Sequence, residues 1–184
     1  VYQIRIKTDG SEPITQAELT NFLKYDEDEA TELALIVSLG KSARQLIEEY
    51  LNVSLTSKTY TLEFDNYAID DYHLTIPRGP VVNVISITQY DNEGTATELT
   101  DNSDYYLRGS QDKNVYFPVT YEEYYYKMEY IAGYGGSGVE ALPEALKIAV
   151  MELAKYWYDR EEQDRHIPET IKAKLLPYSK NFFI

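Results

Sequence analysis

Ile76-Pro77-Arg78-Gly79-Pro80-Val81 opens an alternating strand, and Tyr130-Ile131-Ala132-Gly133-Tyr134-Gly135 closes another shortly before Pro143 starts a long helix. Outward from these two stretches, the apolar period is two between them and helical on either side. On the N-terminal side, Thr15-Gln16-Ala17-Glu18 has the form of a capping box, with Thr as N-cap and Glu reaching back from the third position. It predicts a short helix with Leu19, Phe22 and Leu23 on one side. Asp26-Glu27-Asp28-Glu29 repeats the start signal, with acidic groups at the positive end of a helix dipole. The helix that follows runs to about Leu51. At ~100° per residue, Leu33, Ile36, Val37, Leu39, Ala43, Leu46, Ile47, Tyr50 and Leu51 cover about half its circumference. Ser38, Lys41, Gln45, Glu48 and Glu49 fill the remaining arc, and so wide an apolar arc predicts two packed neighbours.

From Thr59 the period is two: Tyr60, Leu62 and Phe64 alternate with Thr61, Glu63 and Asp65, and His73-Leu74-Thr75-Ile76 leads into the Pro-Arg-Gly-Pro break. Val82, Val84, Ile85, Ile87 and Tyr90 form the strongest strand, which ends at the turn-forming Asp91-Asn92-Glu93-Gly94. Glu98-Leu99, Tyr105-Tyr106-Leu107 and Val115-Tyr116-Phe117 are shorter strands. The last strand, Tyr124 to Ile131, sets Tyr124, Tyr126, Met128 and Tyr130 on one face and Tyr125, Lys127, Glu129 and Ile131 on the other. Short strands with tight connections predict an antiparallel sheet. Pro143 suits the first turn of a helix whose core stripe is Leu146, Ala149, Val150, Leu153 and Trp157, with Ile148 and Met151 on the far side. Pro168 starts a last short helix carrying Ile171, Leu175 and Leu176. The expected fold class is α+β: one domain over 1–184, with a helical body from about 13–55 and 141–178 and a central antiparallel β insertion over about 58–134.

The chain's 184 residues suffice to bury about 70% of the unfolded surface, and no Ser/Gly/Pro-rich linker separates its helical and strand-rich parts. It contains no twenty-residue apolar run and no charged-then-apolar leader, which predicts a soluble protein with no secretory signal and no membrane partner. With no cysteine, it has no disulfide scaffold, thiolate metal site or cysteine nucleophile, and it suits a reducing cytoplasm. Its 31 acidic residues exceed 17 basic ones for a net charge of −14, the opposite of what neutralising phosphates requires. Such acidity serves solubility, and it also suits the wall of a passage along which DNA slides.

No catalytic constellation stands out. Gly133-Tyr134-Gly135-Gly136-Ser137-Gly138 matches G-x-G-x-x-G, but a dinucleotide site needs its third glycine to open the helix, and here Val139-Glu140-Ala141-Leu142 intervene before Pro143. Ser137 fails as a nucleophile elbow because Val139 stands where G-x-S-x-G ends in glycine. The two histidines, His73 and His166, fall in different sub-structures. Glu161, Glu162, Asp164, His166 and Glu169 form the most metal-like cluster, yet they span a helix end and a loop and read as a solvated acidic segment. Asp101, Asn102, Ser103 and Asp104 read as a turn. No catalytic, cofactor or metal residue is therefore assigned, and no enzyme activity or cofactor is expected.

The 19 tyrosines differ, because Tyr121, Tyr124, Tyr125, Tyr126, Tyr130 and Tyr134 crowd one short segment. Tyrosine offers a large apolar face and a polar tip at low rotamer cost, which favours it at interfaces. Tyr121, Tyr124, Tyr125 and Tyr126, with Ile148 and Met151 on the second helix face, are the candidate interface residues. Carbohydrate binding on the tyrosine face is a rival reading.

Taken in order, these segments resemble the head–tail connector (adaptor, or head-completion) family of tailed bacteriophages and prophages, over about Thr15 to Tyr178. The resemblance rests on the acidic helix start with Leu33, Ile36, Ala43 and Tyr50, then on Pro77, Arg78, Pro80 and Val81 followed by Val84, Ile87, Tyr90, Asp91 and Gly94. It continues through Tyr130, Gly133, Tyr134, Leu142-Pro143, Ile148, Ala149, Tyr158-Asp159-Arg160-Glu161 and Leu175-Leu176-Pro177-Tyr178. The resemblance implies a structural protein that forms a ring, usually dodecameric, under the portal protein and that meets a tail or stopper protein. It implies that DNA passes through without specific binding, and that the protein sits in the virion neck after assembly in the host cytoplasm. Another neck or tail-completion role is the nearest alternative.

Overall fold

The computed structural model describes residues 2–25, 30–110, 113–120, 124–136, 140–160 and 166–179, and these divide into two compact units. One unit is β-rich and is built from Val1–Gly10 and Thr56–Val139; the other is helical, from Ser11–Leu55 and Glu140–Ile184.

In the β unit, strands β1 (Tyr2–Thr8), β2 (Lys58–Asp65), β4 (Val81–Tyr90), β5 (Ala96–Glu98) and β8 (Tyr125–Ala132) form an antiparallel sheet in the order β1-β2-β8-β4-β5. Strands β3 (His73–Thr75), β6 (Tyr106–Arg108) and β7 (Asn114–Tyr116) form a second antiparallel sheet in the order β3-β7-β6. The expectation of a helical body carrying one central β insertion is thereby corrected. Strand β1 precedes every helix and pairs with β2, so the β unit is assembled from two pieces of chain, and its strands make two sheets.

Alternation explains β2 and β8. Tyr60, Leu62 and Phe64 face Tyr130, Met128 and Tyr126 across the ladder, all six buried, while Thr61, Glu63, Lys127 and Glu129 occupy the opposite face. Strand β4 departs from the expected alternation. Register shifts between Val81 and Asn83 and between Val84 and Ser86 turn its buried set into Val81, Val84 and Ile87, three residues apart, and leave Ile85 exposed. Each bulge adds a residue on one strand and so moves the following side chains to the other face. Both sheets contribute to one apolar cluster, with Leu74, Val115 and Phe117 from the smaller sheet and its flank. Phe117 bridges them, its ring 6.3 Å from Phe64 and 5.5 Å from Tyr126.

In the helical unit, α1 (Gln16–Leu23) has its full capping box: Glu18 N–H donates to Thr15 Oγ1 at 3.2 Å, and Thr15 N–H donates to Glu18 Oε2 at 2.8 Å. Helix α2 (Ala30–Leu51) packs against α1 and against α3 (Glu144–Arg160), which meets the wide apolar arc with two neighbours. Gly40 permits the close approach of α1, because a Cβ there would lie 2.6 Å from Leu19 Cδ1. Helix α4 (Glu169–Leu175) packs on α3 through buried Ile171 and Leu175. None of the described helices is long and apolar enough to cross a membrane.

Candidate functional site

The two stretches that punctuate the sequence meet in the β unit. Val81 pairs with Ala132, Gly133 N–H donates to the Pro80 carbonyl at 2.9 Å, and the Tyr130 hydroxyl donates to the Pro77 carbonyl at 2.9 Å in a buried setting. Burial pushes the Tyr130 hydroxyl far above its ordinary pKa, so it stays a neutral donor. Arg78 takes a left-handed φ of 60° and the Gly79–Pro80 bond is cis. Gly133, with φ of 111°, ends β8 where a side chain is strained. The first glycine of the G-x-G-x-x-G run thus closes a strand against a proline turn; Ser137, Gly138 and Val139 lie outside the described residues.

The tyrosine segment divides. Tyr126 is buried and stacked on Phe64 with centroids 5.2 Å apart, and Tyr124 is half-buried against the core. Tyr125 is 46% exposed on the outer face, its ring parallel to that of Tyr90 at 4.5 Å, and Tyr134 is half-buried. Tyr121 lies outside the described residues. On α3, Ile148 is 41% exposed, whereas Met151 is packed inside at 9%. Of the sequence-named interface residues, Tyr125 in the β unit and Ile148 in the helical unit are exposed, while Tyr126 and Met151 face inward.

The remaining family-like positions have local structural tasks. Pro143 directly precedes α3, and its carbonyl accepts from Leu146 and Lys147 N–H. Gly94, with φ of 83°, completes the β4–β5 turn, where Asp91 Oδ1 accepts from Thr95 N–H at 2.8 Å. The Tyr158 hydroxyl donates to Glu32 in the first turn of α2, and that bond to a carboxylate holds the phenol up to about 12. Arg160 lies over the Tyr156 ring at 4.4 Å and donates to its hydroxyl at 2.9 Å.

Two features have no counterpart in the sequence reading. The first is a buried ionic knot in the helical unit. Arg44, 1% exposed, donates from Nη1 to Glu48 Oε2 at 2.7 Å and from Nε and Nη2 to both Glu12 oxygens at 2.8 and 2.9 Å. Glu48 Oε1 in turn accepts from Leu55 N–H at 2.8 Å, so Glu48 lies inside, not on the polar arc of α2. A pocket of about 230 Å³ beside this knot is lined by Ile14, Leu19, Val37, Gly40 and Val150, and its one guanidinium is already engaged by carboxylates. The second feature is the outer face of the smaller sheet, where Arg108 lies 4.1 Å above the Tyr116 ring and the His73 ring is 5.1 Å from it. The register that aligns His73, Tyr116 and Tyr106 joins segments distant in sequence, so no local pattern reveals it.

His73 and His166 lie in separate units. Among the described residues no group of three His, Cys, Asp or Glu side chains converges as a metal site; Glu161, Glu162 and Asp164 lie outside them.

The model of the head completion protein family matches residues 12–174. No curated protein matches the chain. Among solved structures, the chain is similar to a chain in the neck of an empty GTA particle computed with C6 symmetry, with TM-score 0.79 and 19% identity over 99% of this chain and 97% of that one. It is similar to a chain in the virion of a native gene transfer agent (GTA) particle, with TM-score 0.78 and 20% identity over 99% and 97%. A third likeness, with TM-score 0.67 and 18% identity over 97% and 98%, is to a chain in the neck of the native GTA particle computed with C12 symmetry. At these identities the likeness establishes a common fold, and it takes in both units.

Proposed function

The chain belongs to the head completion protein family, and from that premise we propose that it is a structural, non-enzymatic subunit of the neck of a tailed phage or phage-like particle. In this reading, copies form a ring under the portal protein, continue the DNA channel and offer a surface to a tail or stopper protein. The chain folds in the host cytoplasm and ends in the virion neck. The observation that carries the reading is the end-to-end fold likeness to a neck protein, over 99% of this chain. Neck structures computed with C6 and C12 symmetry support a ring of copies, and twelve fits the higher of the two. The net charge of −14 supports a channel in which DNA moves without adhering.

Deleting the gene is expected to yield DNA-filled heads and separate tails, with infectivity restored by the gene in trans. Cryo-EM of complete particles is expected to place a ring of this fold directly below the portal. Infectious particles that lack the chain, or density for it at the tail tip, would overturn the reading.

A further inference from the structure

We propose that copies of this chain join edge to edge through their larger sheets, β1 of one copy lying against β5 of the next. The inference rests on the ring reading above and names the surface that would close the ring. Strands β1 and β5 are the two edges of the five-stranded sheet, and among the described residues each has one side without a strand partner. An edge strand presents a row of N–H and C=O groups that templates further pairing unless it is short, bulged, proline-bearing or charged. Strand β1 exposes Tyr2 and Ile6 at 48% and 54%, but it bulges between Ile6 and Thr8 and carries Arg5 and Lys7. Strand β5 spans only three residues. These edges therefore resist indiscriminate pairing, and complementary charge has to select the partner.

The edges carry opposite charge. Tyr2–Thr8 contains Arg5 and Lys7 and no acid, whereas β5 contains Glu98, and the segments that flank it over Asp91–Asp104 add Asp91, Glu93, Asp101 and Asp104 with no Lys or Arg. They also present that charge on one face. Glu98 pairs with Thr88, Thr88 with Lys127, Lys127 with Glu63 and Glu63 with Gln3. Arg5 and Lys7 follow Gln3 at two-residue steps and emerge on that same outer face, where Lys7 reaches Glu129 at 2.7 Å. Pairing β1 with a second β1 would set Arg5 and Lys7 against their own copies, so charge selects the unlike edge.

Strand direction agrees. Each neighbouring pair in the order β1-β2-β8-β4-β5 is antiparallel, so with five strands the two edges run the same way. Copies related by rotation therefore bring β5 and β1 together as a parallel pair. The contact is head-to-tail, the kind that generates a ring when the rotation closes.

The chain has no cysteine, so introduced pairs report one contact each. Oxidising rings of the Arg5→Cys, Glu98→Cys variant is expected to give a ladder of covalent multimers on non-reducing gels, while each single variant runs as monomer. Independently, Arg5→Glu is expected to lower ring formation about tenfold at low salt, and adding Glu98→Arg to restore it. Dimers from Arg5→Cys alone, or rings that give no ladder and ignore Arg5→Glu, overturn the edge pairing and leave the neck reading standing. If the unaltered chain forms no ring, alone or on particles, the neck reading itself fails.

Discussion

The two units solve the burial problem with opposite materials. The β unit fills the space between its sheets with rings: Tyr60 stacks on Tyr130 at 5.4 Å and Phe64 on Tyr126 at 5.2 Å, each pair directly opposed across the β2–β8 ladder. Polar groups there are few: the Tyr130 hydroxyl meets the Pro77 carbonyl, and the buried Lys58 ammonium lies 3.6 Å from a half-exposed Asp9 carboxylate. The helical unit instead buries an ion pair, Arg44 with Glu48, and uses it to tie α2 to the segments at Glu12 and Leu55. Cross-strand rings are held by a ladder that already sets their spacing. Helices that end in loops have no ladder, and charge-assisted hydrogen bonds fix where those loops lie.

The contrast breaks most sharply at Arg44. Arg44→Met keeps most of the apolar stem but removes the guanidinium from the buried Glu48 carboxylate, an expected loss of about 3–5 kcal/mol. Trp157, the only tryptophan, lies in the helical unit with its indole N–H on the His166 carbonyl at 3.1 Å, so its fluorescence reports that unit during denaturant unfolding. A change below about 0.5 kcal/mol, the scatter of ordinary surface substitutions, would show that the knot is not a fastening. The β unit is expected to lose less from a polar deletion. Tyr130→Phe preserves the stacked ring and leaves one buried carbonyl without its donor, about 1–3 kcal/mol, read from the near-UV circular dichroism of the tyrosines. A larger loss than that of Arg44→Met would reverse the comparison.

The same division governs what could be read from the sequence. The capping box at Thr15–Glu18, the core stripe of α3 and the alternation of β2 and β8 are local patterns, and each is legible. On α2, Ile36, Leu39, Ala43, Ile47 and Leu51 are buried as read, but Val37 and Tyr50 of the same arc are exposed. The β1 strand shows the limit: Tyr2, Ile4 and Ile6 alternate with Gln3, Arg5 and Lys7, but the partner that makes this an edge strand is β2, beyond both helices. The bulges of β4 erase its period, so of the apolar residues that mark it as the strongest strand Val84 and Ile87 are buried and Ile85 is exposed. Glu48 reads as solvated because helical position alone does not reveal that Arg44, one turn earlier, is buried with it. Of the sequence-named interface positions, Tyr125 and Ile148 are exposed, while Tyr126 and Met151 point inward. Amphipathic period names the two faces of an element, and long-range packing decides which of them is covered.

The smallest expected effect lies in the helical unit and depends on pH through Glu18. This carboxylate accepts from the Lys147 ammonium and from Thr15, and those bonds hold it at about 2, well below an ordinary glutamate. A pKa lowered by folding stabilises the folded state above the unfolded value and loses that contribution as pH falls through the folded one. The Glu18 contribution is therefore complete above about pH 4.5 and fades towards about pH 2. With 40% of the side chain exposed, solvent screening limits it to about 0.2–1 kcal/mol. Gln at this position still completes a capping box, so Glu18→Gln isolates the charge from the cap. Its deficit, followed by Trp157 fluorescence, is expected to be constant above pH 5 and to shrink steadily as acid is added. A deficit that persists at pH 2 would mean that the bond to Lys147 acts through shape, not charge, and that the helical unit's reliance on ions ends at Arg44.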